Sequence, residues 1–252
     1  MRIFNSLSKQ IEEFKPIEPD FVKMYCCGPT VYKDQQIGNW RTFCLSDFLN
    51  RSLKLYGYKV DFIMNMTDVG HLFETGADPE GGEDKIEKQS TEEGRSAREI
   101  VEMYTKSFLE EYKEMNLLEP KKFTKATDYI DDQINLIATL EERGCTYETS
   151  DGVYFDTSKF EQYGELSGLT IENIKEGARI DPNPEKKNPT DFALWKFSPS
   201  DKKRQQEWQS PWGVGFPGWH LECSSMIMKE LGNTIDIHVG GEDLKMIHHQ
   251  NE

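Results

Sequence analysis

Phe21-Val22-Lys23-Met24-Tyr25-Cys26-Cys27-Gly28-Pro29 decides the fold. It reads as a short strand stopped by Gly and Pro, and a helix and a second strand follow within about 45 residues. Leu45, Phe48, Leu49, Leu53 and Tyr56 recur at i, i+3, i+4, i+8 and i+11, which predicts an amphipathic helix from near Gly38 to Gly57. Residues 59–64 read as the next strand. Strand, helix, strand in that order is a βαβ unit, and it favours a parallel α/β sheet.

Working outward, residues 74–95 are polar and Gly-rich and read as a loop or lid. Residues 97–115 read as a helix, with Ile100, Tyr104, Phe108 and Tyr112 at four-residue intervals. From about residue 119 the pattern changes. A helix over 129–143 leads into 146–156, rich in Thr, Tyr, Val and Phe and broken by the hairpin signal Asp151-Gly152. Four of the eleven prolines fall between Pro182 and Pro199, which reads as a linker. No internal repeat or low-complexity tract is present. The layout predicts an α/β domain over 1–118, an inserted module over 119–200, and the domain resuming over 201–252.

Composition narrows the function classes. The chain has 252 residues and a formal charge of 30 − 45 = −15, so its bulk field repels nucleic acid. Its size, 29.2 kDa, suits one large domain or a domain carrying an insertion. No apolar run approaches the ~18 residues of a membrane span, and residues 1–14 carry charges throughout with no secretory core. Five cysteines argue against a disulfide scaffold and for a reducing compartment. These features predict a soluble, cytoplasmic protein that avoids membranes.

Four motifs carry chemistry. Gln36-Ile37-Gly38-Asn39 opens the amphipathic helix, where unpaired N–H groups and the positive dipole end receive phosphate; an ordinary βα turn fits it equally. In Gly218-Trp219-His220-Leu221-Glu222-Cys223, the cysteine reads as inert packing or, with His220 at i, i+3, as a metal pair. In His248-His249-Gln250-Asn251-Glu252, His248 and Glu252 stand at i, i+4, a spacing that puts two zinc-type donors on one helix face; a solvated polar face has the same pattern. Asp236-Ile237-His238-Val239-Gly240-Gly241-Glu242-Asp243 reads as a strand ending in two glycines. It suits close approach to a ligand with an acidic residue for ribose hydroxyls, or simply a tight turn.

In order and spacing these four motifs resemble the catalytic region of cysteinyl-tRNA synthetases, class I enzymes on a Rossmann-like parallel sheet. The likeness also covers Cys27-Gly-Pro-Thr-Val-Tyr32, Asn65-Met-Thr-Asp68, Asp191-Phe-Ala-Leu-Trp-Lys196 and Ser210-Pro-Trp-Gly213, so it spans nearly the whole chain. The resemblance implies one Zn²⁺ per chain on Cys27, Cys223, His248 and Glu252. It also implies an amino-acid pocket at Gly28, Thr67, Trp219 and His238. Gln36, Gly38 and Asn39 stand at the ATP phosphates, and Gly240, Gly241 and Asp243 on the adenosine side. The implied partners are L-cysteine, ATP with Mg²⁺ and, for the full-length protein, tRNA(Cys), acting as a monomer. The segment over 119–200 corresponds to the family's connective insertion, and Cys26, Cys44 and Cys145 match no functional position.

The sequence departs from the family pattern in two places. Gln36 replaces the first His of the class I signature, and a neutral bond in place of a charge-assisted one puts about 1–2 kcal/mol of transition-state stabilisation at stake. The second signature, a mobile lysine loop, lies downstream in the family, and this chain stops at Glu252. The expectation is therefore a C-terminally truncated catalytic region that does not charge tRNA by itself. A ligase of the mycothiol pathway and a zinc- and cysteine-binding paralogue without catalysis are the two alternatives that share these motifs.

Overall fold

The computed structural model describes residues 1–70, 84–168, 184–199 and 203–252. A hairpin of β1 (Arg2–Asn5) and β2 (Gln10–Glu13) precedes β3 (Phe21–Cys26), α1 (Ile37–Leu55) and β4 (Lys59–Met66). Next come α2 (Lys85–Glu93), α3 (Ala97–Glu114), β5 (Lys122–Lys125) and α4 (Ile130–Glu142). Strands β6 (Thr146–Thr149), β7 (Gly152–Phe155), β8 (Phe192–Phe197) and β9 (Gly215–Pro217) follow. The chain closes with α5 (Trp219–Leu231), β10 (Ile237–Val239), α6 (Glu242–Met246) and α7 (His248–Asn251).

The predicted βαβ unit is present, with β3 and β4 parallel neighbours. They are the centre of a four-stranded sheet in the order β10-β3-β4-β5, parallel throughout. Side chains alternate across a strand, and here both faces are covered. Val22, Met24, Cys26, Phe62 and Met64 pack with Trp40 and Phe43 of α1 and Phe108 and Tyr112 of α3. Tyr25, Cys27 and Ile63 pack on the opposite side with Cys223, Met226 and Leu231 of α5. The result is an α/β/α arrangement with parallel strands buried on both faces.

Strands β6 to β9 form a separate antiparallel sheet around Trp195, which is fully buried. The stretch read as an insertion, 119–200, thus contributes β5 to the parallel sheet before the antiparallel sheet begins, and β9 joins that second sheet from beyond residue 200.

Three local expectations are corrected. Residues 84–95 were read as part of a loop or lid, yet α2 occupies most of them. Asp84 caps it by accepting from the Ile86 and Glu87 amides at 2.8 and 2.9 Å, and pairs with Arg204. Residues 71–83 of that stretch lie outside the described residues. The proline-rich segment from Pro182 to Pro199 contains the core strand β8, because its apolar run Phe192-Ala193-Leu194-Trp195 outweighs the flanking prolines; 182–183 lie outside the described residues.

The third correction concerns α1. Leu53 of the predicted stripe is buried and Leu49 packs at the core's margin, but Leu45 and Phe48 are 57% and 64% exposed. The buried face is Trp40, Phe43, Ser46, Asp47, Asn50 and Leu53. Aromatic bulk decides the rotation: Trp40 stacks on Phe108 with centroids 5.5 Å apart, and Phe43 meets the same ring edge-on. Asp47 is tolerated beneath because it accepts from the Leu118 amide at 2.9 Å and from Arg51 at 2.7 Å. Leu45 and Phe48 instead line an open groove of about 410 Å³ with Arg41, Thr42, Gly240 and Glu242.

The two leucines separate these faces experimentally. Leu53→Ala should cost about 2–5 kcal/mol by urea denaturation, whereas Leu45→Ala should stay within about 0.5 kcal/mol.

Candidate functional site

From β3 the chain proceeds through α1 to β4 and on to β5, then returns through α5 to place β10 on the other side of β3. Where strand order reverses, the loops leaving the C-terminal strand ends diverge and open a crevice. The crevice here lies beyond Cys26 and Val239. It is tied at its base by the Cys27 amide, which donates to the Val239 carbonyl at 2.9 Å.

Cys27 therefore sits at the mouth of the crevice, one residue past β3, and the alternation of the strand turns it toward α5 while Cys26 faces α1. Helix α5 begins at Trp219 because Gly218 presses against the antiparallel sheet. Its amide donates to the Leu194 carbonyl at 2.9 Å, and a Cβ there would overlap the Ala193 carbonyl. One turn later this start delivers Cys223, 2% exposed, opposite Cys27. The short helix α7 supplies His248 and ends at Glu252, whose amide donates back to the His248 carbonyl at 2.9 Å. Tyr163 steadies this helix by donating to Asn251 Oδ1 at 2.6 Å.

Ligand-type atoms of Cys27, Cys223, His248 and Glu252 all lie within 4.8 Å of one another. A second group with the same property is Cys27, His238, His249 and Glu252. Glu252 joins the two groups, with Oε1 2.6 Å from His248 Nε2 and Oε2 3.1 Å from His238 Nε2. Two thiols, imidazoles and a carboxylate, largely buried, are a borderline-soft donor set that suits Zn²⁺ and is poor for Mg²⁺ or Ca²⁺.

Burial raises the stakes of every charge here. Against that burial, His238 and His248 hold the Glu252 carboxyl well below the usual carboxylate range. Also against burial, Glu252 and the Cys223 sulfur push His248 up to about 10. A hydrogen bond from the Cys27 thiol to Cys223 raises Cys27, with burial adding to the rise, and lowers Cys223. The cluster thus favours a charged Glu252 carboxylate facing the His248 imidazolium, with the Cys27 thiol directed at the Cys223 sulfur. Burial keeps His238 and His249 neutral, His249 down to about 4. Neutral imidazole is the metal-binding form.

Of the other predicted residues, Trp219 touches this centre: it stacks on His248, centroids 4.3 Å apart and planes 24° off parallel, and so supports a candidate ligand. Thr67, one residue past β4, is buried, accepts from Asn65 Nδ2 at 3.0 Å and pairs through its backbone with Pro29 and Val31 in the loop that follows β3. Gly28 lies so close to β4 that a Cβ would overlap the Asn65 carbonyl, and its amide donates to Asn65 Oδ1 at 2.8 Å. Gln36, Gly38 and Asn39 are exposed at the N-terminus of α1, where Asn39 Oδ1 accepts from the Gln36 amide at 3.1 Å. Gly240 and Gly241 form the turn from β10 into α6, and Asp243 is exposed on its first turn.

The i, i+3 pairing of His220 with Cys223 is not realised: His220 lies behind His248, with their Nδ1 atoms 3.0 Å apart, and belongs to neither ligand group. The histidine that sequence reasoning misses is His249, whose Nε2 is 3.6 Å from Cys27 Sγ. The His248-His249 doublet was its only signal, because neighbouring helical residues normally diverge.

Residues 13–252 match the family model described as the class I (C) tRNA synthetase catalytic domain. The chain is 48% identical over 252 residues to cysteine--tRNA ligase 1 of Burkholderia lata, covering all of this chain and 53% of that one. It is 45% identical over 252 residues to cysteine--tRNA ligase of Pyrococcus furiosus, with 50% of that protein covered. The chain spans about half the length of the curated relatives it matches. Among solved structures, Mycobacterium tuberculosis methionyl-tRNA synthetase in complex with methionyl-adenylate superposes with a TM-score of 0.64 at 12% identity. That match covers 90% of this chain and 52% of the other, and shows a shared fold. No helix of the described residues is long and apolar enough to cross a membrane.

Because Gly28 carries Cys27 into the crevice, Gly28→Ala should displace both. Urea denaturation should show a loss of about 1–3 kcal/mol from overpacking against β4.

Proposed function

The chain belongs to the class I family of cysteine--tRNA ligases, and from that premise we propose that it is the region that activates L-cysteine with ATP. In the reaction, the cysteine carboxylate attacks the α-phosphorus of ATP, the bond to the bridging oxygen breaks, and cysteinyl-adenylate and pyrophosphate form. In the full-length protein the cysteinyl group then passes to the 3′-terminal adenosine of tRNA(Cys). One observation carries the reading. Two thiols, an imidazole and a carboxylate from three distant segments converge within 4.8 Å at the switch point of a parallel sheet.

Cys27, Cys223, His248 and Glu252 would hold one Zn²⁺, their donor chemistry fitting that ion. When bound, such an ion favours a thiolate over a hydroxyl, the distinction between cysteine and serine that an apolar pocket makes poorly. The chain's own residues do the rest by position. His238 and Trp219 flank the centre and would orient the amino acid. The first turn of α1, where Gln36, Gly38 and Asn39 stand, would receive the triphosphate, which arrives with Mg²⁺, at the positive end of the helix dipole. Gly240 and Gly241 leave the backbone open to adenosine, with Asp243 placed for the ribose. The antiparallel sheet β6–β9 is our candidate for the core of the connective insertion, so the expected bounds of 119–200 shift: the first catalytic half runs on through β5 to Lys125 and the second resumes at Trp219.

Metal analysis and calorimetry test the centre. We expect one tightly held Zn²⁺ that survives dialysis, with affinity lowered at least about 100-fold by Cys223→Ala and less by Glu252→Ala. Cys27 and His248 are both pushed up from their ordinary values, so metal uptake at pH 7 should release protons, and apparent affinity should climb as pH rises and these protons leave. L-cysteine should bind with proton release and L-serine should not compete. Equal affinity for the two amino acids would overturn the proposal.

The second test is kinetic. In a chain extended to the length of its relatives, Gln36→His should raise ATP–pyrophosphate exchange about tenfold through an added charge-assisted contact. Absence of exchange in both proteins would favour the cysteine-binding paralogue.

A further inference from the structure

The first ligand group leaves unused two imidazoles that face Cys27, and their placement is specific. His238 Nε2 is 3.3 Å and His249 Nε2 3.6 Å from Cys27 Sγ, Cys27 Sγ is 3.7 Å from Glu252 Oε1, and His238 Nε2 is 3.1 Å from Glu252 Oε2. Donors held at zinc bond lengths in a tetrahedron are separated by about 3.3–3.8 Å. All four measured spacings fall in or close to that range before any ion has drawn them together.

Two further features act in the same direction. A Cβ at Gly240 would overlap the His249 ring, so the glycine is what lets this imidazole reach the crevice. The rings of His238 and His249 lie 4.3 Å apart, and both turn Nε2 to the same sulfur.

We propose that the centre has a second divalent-cation position, formed by Cys27, His238, His249 and Glu252, which shares the Cys27 sulfur and the Glu252 carboxylate with the first. It takes borderline cations such as Zn²⁺ or Co²⁺, and it overlaps the space His238 would offer to the amino acid. Excess metal and L-cysteine therefore exclude one another. The position is the more accessible of the two, since Cys223 and His248 are buried whereas His238 and His249 are partly exposed, and it exchanges its ion more readily. This inference rests on the zinc reading above.

Titration of the metal-stripped 252-residue chain with Co²⁺, read by bound metal and visible absorption, tests it. We expect two tetrahedral equivalents, the second at least about tenfold weaker, because it reuses two donors already committed to the first. Saturating L-cysteine should remove the second equivalent only. His249→Ala should keep the first and weaken the second at least about tenfold. A single equivalent in both proteins overturns the second position and leaves the zinc centre standing. A second equivalent that is weakly absorbing, or indifferent to L-cysteine and to His249→Ala, also overturns it, since that is binding to the acidic surface. No tetrahedral equivalent overturns both readings.

Discussion

One backbone hydrogen bond, from the Cys27 amide to the Val239 carbonyl at 2.9 Å, sets the position of everything at the site. It continues the pairing of β3 with β10 one residue beyond the strand and fixes how far apart the two diverging loops begin. On one loop stands Cys27; His238 lies on β10 just before the other, which carries Gly240 and the turn into α6. Helix α5 completes the enclosure because it is the crossover that brings the chain back to β10, and it carries Cys223 for the same reason. The donors converge because the topology makes one chain visit three sides of a single crevice. Asp236 secures that return at the opposite end of β10. Its carboxylate accepts from the Ile17 and Lys23 amides, both at 2.7 Å, and so holds the strand in register with β3.

The crevice concentrates ionisable groups where water is scarce, and each is stabilised by another. Glu252 carries its charge because His238 and His248 face it, and the Cys223 thiol is drawn down because Cys27 donates to it. Removing one partner would leave a buried charge exposed to its full desolvation cost, which is why such clusters are destabilised more by single deletions than by wholesale replacement. Glu222, on α5 between His220 and Cys223, illustrates the alternative. It is fully buried, and burial, with Asp68 nearby, pushes its carboxyl well above the usual range.

The exposed apolar face of α1 has a different cause. A helix with apolar residues on most of its circumference has no unique rotation, and the aromatic contacts of Trp40 and Phe43 with Phe108 set this one. Leu45 and Phe48 are left beside Gly240 and Glu242, along the same edge of the sheet on which β10 lies. The pattern in the sequence correctly gave a helix, and period alone could not say which of two apolar stripes would meet the sheet. Contact with partners distant in sequence decided it.

Taken alone, the sequence determined the elements with strong local signals. The β3–α1–β4 unit, the helix over Ile100 to Tyr112 and the Asp151-Gly152 hairpin follow from periodicity and turn chemistry, which are properties of short segments. It also determined the donor types, since the blocks containing Cys27, Cys223, His248 and Glu252 could be aligned with a family pattern without any coordinates. Tertiary structure alone decided three matters: which face of α1 is buried, that β8 crosses the core within a proline-rich stretch, and that His249 turns to Cys27 while His220 stands behind His248. The physical reason is common to all three. Each depends on an approach between residues far apart along the chain, Trp40 with Phe108, Gly152 with Trp195, His249 with Gly240, where the fit of one side chain or carbonyl against another settles an orientation that local propensity leaves degenerate.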